Sequence, residues 1–157
     1  GAACGGGFSL ALASDIRIAA TTAKMNAAYI RAGLTACDMG CSYLLPRLVG
    51  LSIASELMMT GRFIDADRAL RVNLVSDVVA EEELTAAAES YIAEMLLTSP
   101  MGLRLTKDGL NFSIDAPSLD AAMALEDRQQ SLVAGTADAR EAINAFLEKR
   151  SPIWKDQ

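Results

Sequence analysis

Amphipathic helical patterning fills the second half of the chain and constrains the fold more than any other feature. From position 81 onward, apolar residues recur at spacings of three and four. The first stripe consists of Leu84, Ala88, Tyr91, Ile92, Met95 and Leu96. Such helices must bury their apolar sides, but the strand-like segments upstream are too few to form a sheet large enough to receive them. We therefore expect the chain to be incomplete or to complete its core with another chain.

The patterning predicts a mixed α/β chain with a boundary near position 80. Residues 1–80 carry short strands and helices, whereas residues 81–157 are helical. The expected elements of the first part, in chain order, are a helix from the glycines at 5–7 to about Ser14, a strand over 16–19, one or two extended pieces over 25–32, a loop over 33–37, a helix from Asp38 to about Gly50, a helix over 52–60 stopped by Gly61, a short helix capped by Asp65, and brief strands at 74–75 and 78–79. Further helices are expected after Pro100 and Pro117 and from Asp138.

Composition excludes several classes of function. The 157 residues include no histidine, which removes histidine-based triads, histidine general bases and most zinc sites. There are 20 Asp and Glu residues against 14 Lys and Arg, giving a net charge of -6 and arguing against nucleic-acid binding. No segment reaches the roughly 18 to 20 uninterrupted apolar residues that a membrane span requires.

The three cysteines are too few for a disulfide framework. Cys4, Cys37 and Cys41 are an odd number, which favours a reducing, cytoplasmic setting. Cys37 and Cys41 could share a helix face, but zinc needs about four ligands and the sequence supplies no others nearby. We interpret the cysteines as small buried hydrophobic residues and predict no metal site.

A triple glycine at positions 5–7 opens directly into the apolar run at 8–13. Glycines entering a helix let backbone N–H groups approach a negative oxygen, and the helix dipole adds positive potential there. The motif matches neither the dinucleotide pattern nor the P-loop. Taken alone, such a loop is more often a tight turn than a catalytic element.

Longer segments carry a family resemblance. Residues 1–19, GAACGGGFSLALASDIRIA, resemble the central signature of the crotonase family, the enoyl-CoA hydratases and isomerases. LLPRLVG at 44–50, ELMMTGRFIDA at 56–66 and FLEKRSP at 146–152 are similar to later blocks of that family in the same order. The resemblance implies a partial crotonase-like ββα superhelix over 1–80, followed by a helical trimerisation region. It also implies that the family's N-terminal half, with most of the sheet, lies outside this sequence.

In this family, a CoA thioester carbonyl lies between two backbone N–H donors that stabilise an enolate. The resemblance assigns one donor to Gly6, the middle glycine, and the other to the N-terminal half. It implies an acyl-CoA substrate and no permanently bound cofactor.

The acid and base residues depart from the hydratase pattern. Hydratases of the family carry glutamates where this sequence has Ser9 and Tyr29. A hydroxyl and a phenol are weak proton-transfer groups near neutral pH without a partner, so water addition by two glutamates is disfavoured. Ser9 is expected to line the substrate pocket rather than act as a catalytic hydroxyl. Tyr29 is expected to shape the acyl pocket, with a hydrogen bond to substrate as the alternative.

Asp38 is the candidate acid and base residue in place of the two glutamates. Its distance before Gly50 resembles the place where other family members, ring-opening-pathway isomerases and an aromatic acyl-CoA dehalogenase, carry a catalytic aspartate. A single carboxylate can move a proton between two carbons, which suits isomerisation better than hydration. The alternative is that Asp38 only caps the helix that follows it.

The resemblance also places Phe146 and Lys149 near the CoA nucleotide of a neighbouring subunit, in a homotrimer or homohexamer. Because the two are three residues apart, an aromatic face can support adenine while the ammonium meets phosphate. Phe146 is equally well placed to belong to a core.

Three functions follow as hypotheses. The first is an acyl-CoA-processing enzyme, of isomerase type rather than a two-glutamate hydratase. The second is a catalytically impaired relative that binds acyl-CoA or assists assembly. The third is an independent helical domain without CoA chemistry.

Overall fold

The computed structural model describes all residues, 1–157, and separates them into two compact units, Gly1–Glu89 and Ser90–Gln157. The first unit contains every strand, and the second consists of helices and their connections. The mixed α/β class predicted from the sequence is therefore confirmed. The finer division at residues 80 and 81 stays a prediction.

Two small sheets organise the first unit. Strand β1 (Ala2–Cys4) pairs in parallel with β3 (Lys24–Asn26), and β3 pairs antiparallel with β4 (Ile64–Asp65). Strand β2 (Ile18–Ala20) pairs in parallel with β5 (Asp77–Val79). The strands are two or three residues long, as the sparse strand patterning predicted.

The longest helix of the first unit is broken by a glycine. Helix α1 (Gly6–Leu12) follows β1 directly, and helix α2 (Cys41–Thr60) comes after a loop. Gly50 interrupts α2 with a φ of 78° and a ψ of 159°, a conformation that only glycine adopts readily. The predicted end near Gly50 is thus confirmed as a sharp break, with a second helical piece after it.

A helix-ending glycine and a helix-capping aspartate explain the next elements. Gly61 ends α2, as predicted, and it adopts the left-handed conformation. Helix α3 (Ala66–Arg71) begins after Asp65, whose carboxylate accepts the Arg68 N–H at 2.8 Å. The cap predicted at Asp65 is confirmed.

Two predictions of extended structure are wrong in part or in full. Of the extended pieces expected over 25–32, the first is confirmed in β3, whereas Ala28–Ala32 forms a 3-10 helix that ends at a left-handed Gly33. Residues 74–75 are not a strand, although both side chains are buried. Apolar residues pack into this core from a helix or a turn as well as from a strand, so burial alone did not distinguish them.

The core of the first unit gathers side chains from nearly all its elements. The fully buried large residues are Phe8, Leu45, Leu57, Ile64 and Leu74. The Arg17 guanidinium joins two distant parts of this unit, because its Nε donates a hydrogen bond to the Leu74 carbonyl at 2.7 Å. Partial burial lowers the pKa of Arg17, and the nearby Asp15 charge opposes that effect.

Four helices follow the strands. Helix α4 (Leu84–Met95) begins in the first unit, and the second unit contains α5 (Pro100–Ser113), α6 (Leu119–Ala134) and α7 (Ala137–Glu148). The last three are capped by Ser99, Ser118 and Thr136, each accepting a backbone N–H three residues on. Their predicted starts, at or after Pro100, after Pro117 and at Asp138, are confirmed to within about two residues.

The apolar sides of these helices have little cover in this chain. Phe146 is 82% exposed and Leu119 is 73% exposed, whereas Asp138 and Ala145 are the only buried residues of the second unit. The amphipathic helices predicted from the sequence are present, and their apolar residues are exposed or half-buried, with few fully buried. None of the helices combines the length and apolar character needed to cross a bilayer.

Buried Asp138 binds the C-terminal segment to the start of α7 through hydrogen bonds. Its two carboxylate oxygens accept the N–H groups of Lys155 and Asp156 at 2.8 and 2.9 Å. In return, the Gln157 carbonyl accepts the Ala137 N–H at 2.8 Å. The segment therefore supplies acceptors that the first turn of α7 would otherwise lack.

Candidate active site

Gly5 turns strand β1 into helix α1 and thereby places Gly6 at the first helical position. Gly5 has a φ of 53° and a ψ of −119°, which side-chain-bearing residues avoid, and its N–H donates to the Asn26 carbonyl at 3.0 Å. The Gly6 N–H precedes the intrahelical hydrogen bonds, and no oxygen of this chain accepts it. An unpaired donor at the positive end of a helix suits a negative oxygen.

Ser9 and Tyr29 lie together beside Gly6. Ser9 is 1% exposed, and its Oγ lies 3.4 Å from the Tyr29 Oη. A Cβ added to Gly6 would lie 3.6 Å from that same Oη. Ser9 and Tyr29, which the resemblance places at the glutamate positions of the hydratases, therefore lie close to the candidate oxyanion donor.

The segment carrying Asp38 joins this corner through its backbone. The Ser9 hydroxyl donates to the Asp38 carbonyl oxygen at 3.2 Å. The Asp38 side chain is exposed, and its Oδ1 accepts the Met39 N–H at 2.9 Å. Its carboxylate forms no ion pair. All four residues predicted in the first unit are therefore brought close together.

The prediction that Asp38 caps helix α2 is wrong. The helix begins at Cys41, its N-cap is Gly40, and no side chain caps it. The Asp38 carbonyl instead accepts the Cys41 N–H at 2.9 Å, closing a tight turn through left-handed Met39 and Gly40. That turn displaces the start of the helix and leaves the carboxylate without a capping role.

Met39 is a neighbour of Gly6 that the sequence analysis missed. Its Sδ would lie 3.2 Å from a Cβ added to Gly6, and its side chain is 61% exposed. A methionine in a loop carries no sequence signal for such a position. Its positive φ of 48° could not be anticipated, since this conformation is unusual for a side-chain-bearing residue.

The cysteines divide into two groups. Cys41 is fully buried, and burial raises the pKa of its thiol, as expected of a small hydrophobic residue. Cys4 and Cys37 are exposed, so the prediction that all three are buried is wrong for these two. The turn before α2 holds Cys37 at the surface. No group of three or more Cys, Asp or Glu residues is placed to hold a metal ion.

An apolar cavity of about 500 Å³ flanks the Asp38 segment. The loop after Gly33 forms one wall, including Leu34 and Cys37, and helix α2 forms the other, including Leu51 and Met58. It is a concave apolar surface next to the segment that carries the exposed carboxylate.

Phe146 and Lys149 lie in the second unit, at the end of α7. Phe146 is 82% exposed, so it does not belong to a core within this chain. Lys149 ends the helix in a left-handed conformation with a φ of 53°, and its N–H donates to the Phe146 carbonyl. Their contact with CoA stays a prediction.

Comparison with known proteins identifies the family. A family model described as Enoyl-CoA hydratase/isomerase matches residues 1–157. A probable enoyl-CoA hydratase of Mycobacterium tuberculosis is 46% identical over 157 residues, covering 99% of this chain and 55% of the relative. A 1,2-epoxyphenylacetyl-CoA isomerase of Escherichia coli is 40% identical over 153 residues, covering 97% of this chain and 57% of the relative.

Solved structures agree. A probable enoyl-CoA hydratase/isomerase from Mycobacterium abscessus superposes with a TM-score of 0.94 and 44% identity, covering 100% of this chain and 61% of that one. The chain belongs to the enoyl-CoA hydratase/isomerase family, and the predicted crotonase-like fold is confirmed as part of that fold. The chain spans a little over half the length of the curated relatives it matches, at 55% and 57%.

Proposed function

We propose that this chain processes acyl-CoA thioesters by stabilising an enolate, with Gly6 as a backbone donor to the thioester oxygen. One observation carries this proposal. The Gly6 N–H is unpaired at the start of α1, in a chain whose family includes hydratases and an isomerase of CoA thioesters. A preorganised donor of this kind stabilises charge that develops on oxygen during the reaction.

Isomerisation by one carboxylate fits the residues beside Gly6 better than hydration. In this scheme Asp38 removes a proton from the α-carbon of a 3-enoyl thioester, and the electron pair moves to the thioester oxygen at the Gly6 N–H. The resulting dienolate takes the same proton back at its γ-carbon. The product is the conjugated 2-enoyl thioester, and Asp38 is again a carboxylate.

Ser9 and Tyr29 support this preference. Family hydratases carry two glutamates, but here a buried hydroxyl and a half-buried phenol occupy those positions. Their 3.4 Å contact packs them against each other, without a carboxylate to activate water. Both residues are assigned to the wall of the substrate pocket.

The apolar cavity next to Asp38 is assigned to part of the acyl group, since apolar walls favour a hydrocarbon chain. Phe146 and Lys149 are assigned to the CoA nucleotide of a neighbouring subunit in a homotrimer or homohexamer. The exposure of Phe146 and of the adjacent apolar residues Ile143 and Leu147 supports this assignment, because an uncovered aromatic face is available to a partner. A cytoplasmic location stays a prediction.

The decisive experiment separates isomerase, hydratase and binding-only functions. The full chain is assayed with 3-enoyl-CoA and 2-enoyl-CoA thioesters, as wild type, Asp38→Asn and the control Asp67→Asn, an exposed carboxylate in the first turn of α3. We expect isomerase turnover that falls about 10²- to 10⁴-fold in Asp38→Asn alone. Hydration that is unaffected by Asp38→Asn would contradict the proposal. Tight acyl-CoA binding without turnover would instead favour the impaired, binding-only relative.

A further inference from the structure

The thioether of Met39 borders the space beside the candidate oxyanion donor. A Cβ added to Gly6 would lie 3.2 Å from the Met39 Sδ and 3.9 Å from its Cε, so this side chain already occupies the volume next to the Gly6 Cα. The Tyr29 Oη lies on the same side of Gly6. The side chain is also 61% exposed, so it contributes more to the edge of a site than to the core.

The backbone holds Met39 there in an unfavourable conformation. Its φ is 48°, and the following Gly40 has a φ of 81°. The Asp38 carboxylate accepts the Met39 N–H at 2.9 Å, and the Asp38 carbonyl closes the turn onto Cys41. Side-chain-bearing residues persist in the left-handed region when their surroundings determine them strongly, and such residues concentrate at ligand sites.

We infer that Met39 determines substrate specificity by excluding substituents on the α-carbon, so that the site takes α-unbranched acyl-CoA thioesters. This inference rests on the proposed function. A thioester oxygen bound to the Gly6 N–H places the carbonyl carbon, and the α-carbon bonded to it, next to Gly6. A methyl group on that α-carbon would compete with the Met39 thioether for the same space.

Flexibility of the side chain sets the size of the effect. Methionine has three rotatable side-chain bonds and adapts to its neighbours, so the exclusion is graded rather than absolute. A single additional carbon in a shaped pocket changes discrimination by about 10- to 200-fold. We expect a preference at the lower end of this range.

The test measures binding of two unreactive saturated thioesters, butanoyl-CoA and 2-methylbutanoyl-CoA, to the full chain by calorimetry. Wild type is expected to bind butanoyl-CoA about 10-fold more tightly. Met39→Ala is expected to reduce that ratio to about threefold or less, because it frees the volume beside Gly6. Met39→Leu conserves volume and should keep the preference. Met123→Ala, which truncates a methionine 47% exposed on α6 of the second unit, should keep it as well.

The outcomes separate the inference from the function beneath it. If both thioesters bind and Met39→Ala keeps the wild-type ratio, the inference is wrong while the proposed function stands. If neither thioester binds wild type, the proposed function fails and the inference fails with it. Met39→Gly provides a second test if Met39→Ala is poorly folded, because glycine favours the positive φ found here and removes the same thioether.

Discussion

The Ser9 hydroxyl lies 3.4 Å from the Tyr29 Oη and at the same time donates to the Asp38 carbonyl at 3.2 Å. One buried side chain on α1 thus joins the 3-10 helix that carries Tyr29 to the turn that precedes α2. The hydrogen bond to Asp38 orients the backbone of that turn, while the side-chain carboxylate stays exposed. Ser9, which the family resemblance predicts to stand at a glutamate position of the hydratases, thus hydrogen-bonds to the backbone at Asp38.

Removing this hydroxyl should destabilise the chain more than removing the phenol. We expect Ser9→Ala to lower the free energy of unfolding by about 0.5–1.5 kcal/mol, since it deletes the hydrogen bond to the Asp38 carbonyl. Tyr29→Phe should cost less than about 0.5 kcal/mol, because its contact with Ser9 is long. Urea denaturation of both variants measures the difference. An equal or larger loss of unfolding free energy in Tyr29→Phe would show that the Ser9 hydrogen bond to the Asp38 carbonyl is not the stronger interaction.

Gly6 offers a direct test of a backbone donor. Proline is tolerated at the first position of a helix and has no N–H, so Gly6→Pro removes the proposed donor where the helix can accept the change. Gly6→Ala is the matched control, because it keeps the N–H and places a comparable Cβ 3.2 Å from the Met39 Sδ. We expect kcat for Gly6→Pro to be about 10²- to 10³-fold below that of Gly6→Ala. Equal rates in two folded variants would rule out a donor role for Gly6.

The cap at Asp65 should be measurable on its own. Its carboxylate accepts the Arg68 N–H at 2.8 Å at the start of α3. Asp65→Ala should lower the free energy of unfolding by about 0.5–2 kcal/mol, whereas Asp65→Asn keeps a capping oxygen and should stay within about 0.5 kcal/mol of wild type. Thermal and urea denaturation provide the comparison. A loss in Asp65→Asn as large as that in Asp65→Ala would show that charge matters here instead of capping.

Acid should weaken the second unit through Glu141. The Arg150 guanidinium, followed by the Ile153 N–H, lowers the pKa of this carboxyl from 4.5 to about 2. Because the unfolded chain takes up this proton first as pH falls, the stabilisation by Glu141 is complete above the unfolded value and is lost down to the folded one. The difference in unfolding free energy between wild type and Glu141→Gln should therefore shrink across this interval.

Denaturation of the two proteins at a series of acidic pH values provides the measurement for Glu141. Glu126→Gln on α6 is the control. This substitution removes the same charge from a carboxylate that forms no ion pair. A difference between wild type and Glu141→Gln that does not change with pH would show that Arg150 contributes nothing specific.

Much of the fold could be predicted because many helices begin and end at residues that act locally. Gly61 and Asp65 end and start helices through their own backbone freedom or carboxylate, and α5 and α6 begin within two residues of a proline. The errors arose where several residues act together. The start of α2 depends on a turn closed by the Asp38 carbonyl and on two left-handed residues, which side-chain patterns do not encode.

The candidate site was predicted from the family resemblance, since the glycine triplet taken alone favoured a tight turn over a catalytic element. The resemblance located Gly6, Ser9, Tyr29 and Asp38, which the fold brings close together. It could not locate Met39, because the proximity of its thioether to Gly6 follows from a positive φ in a loop. Only the backbone conformation of the loop shows that the Met39 side chain lies beside Gly6.

The hydrogen bond from Arg17 to the Leu74 carbonyl joins residues 57 positions apart, next to the parallel pairing of β2 with β5. During synthesis, β2 leaves the ribosome long before β5 exists. Its pairing with β5 must therefore wait until most of the first unit has been translated. Completion of this small sheet is a late, long-range event, and we expect it to limit the rate at which the nascent unit reaches its folded state.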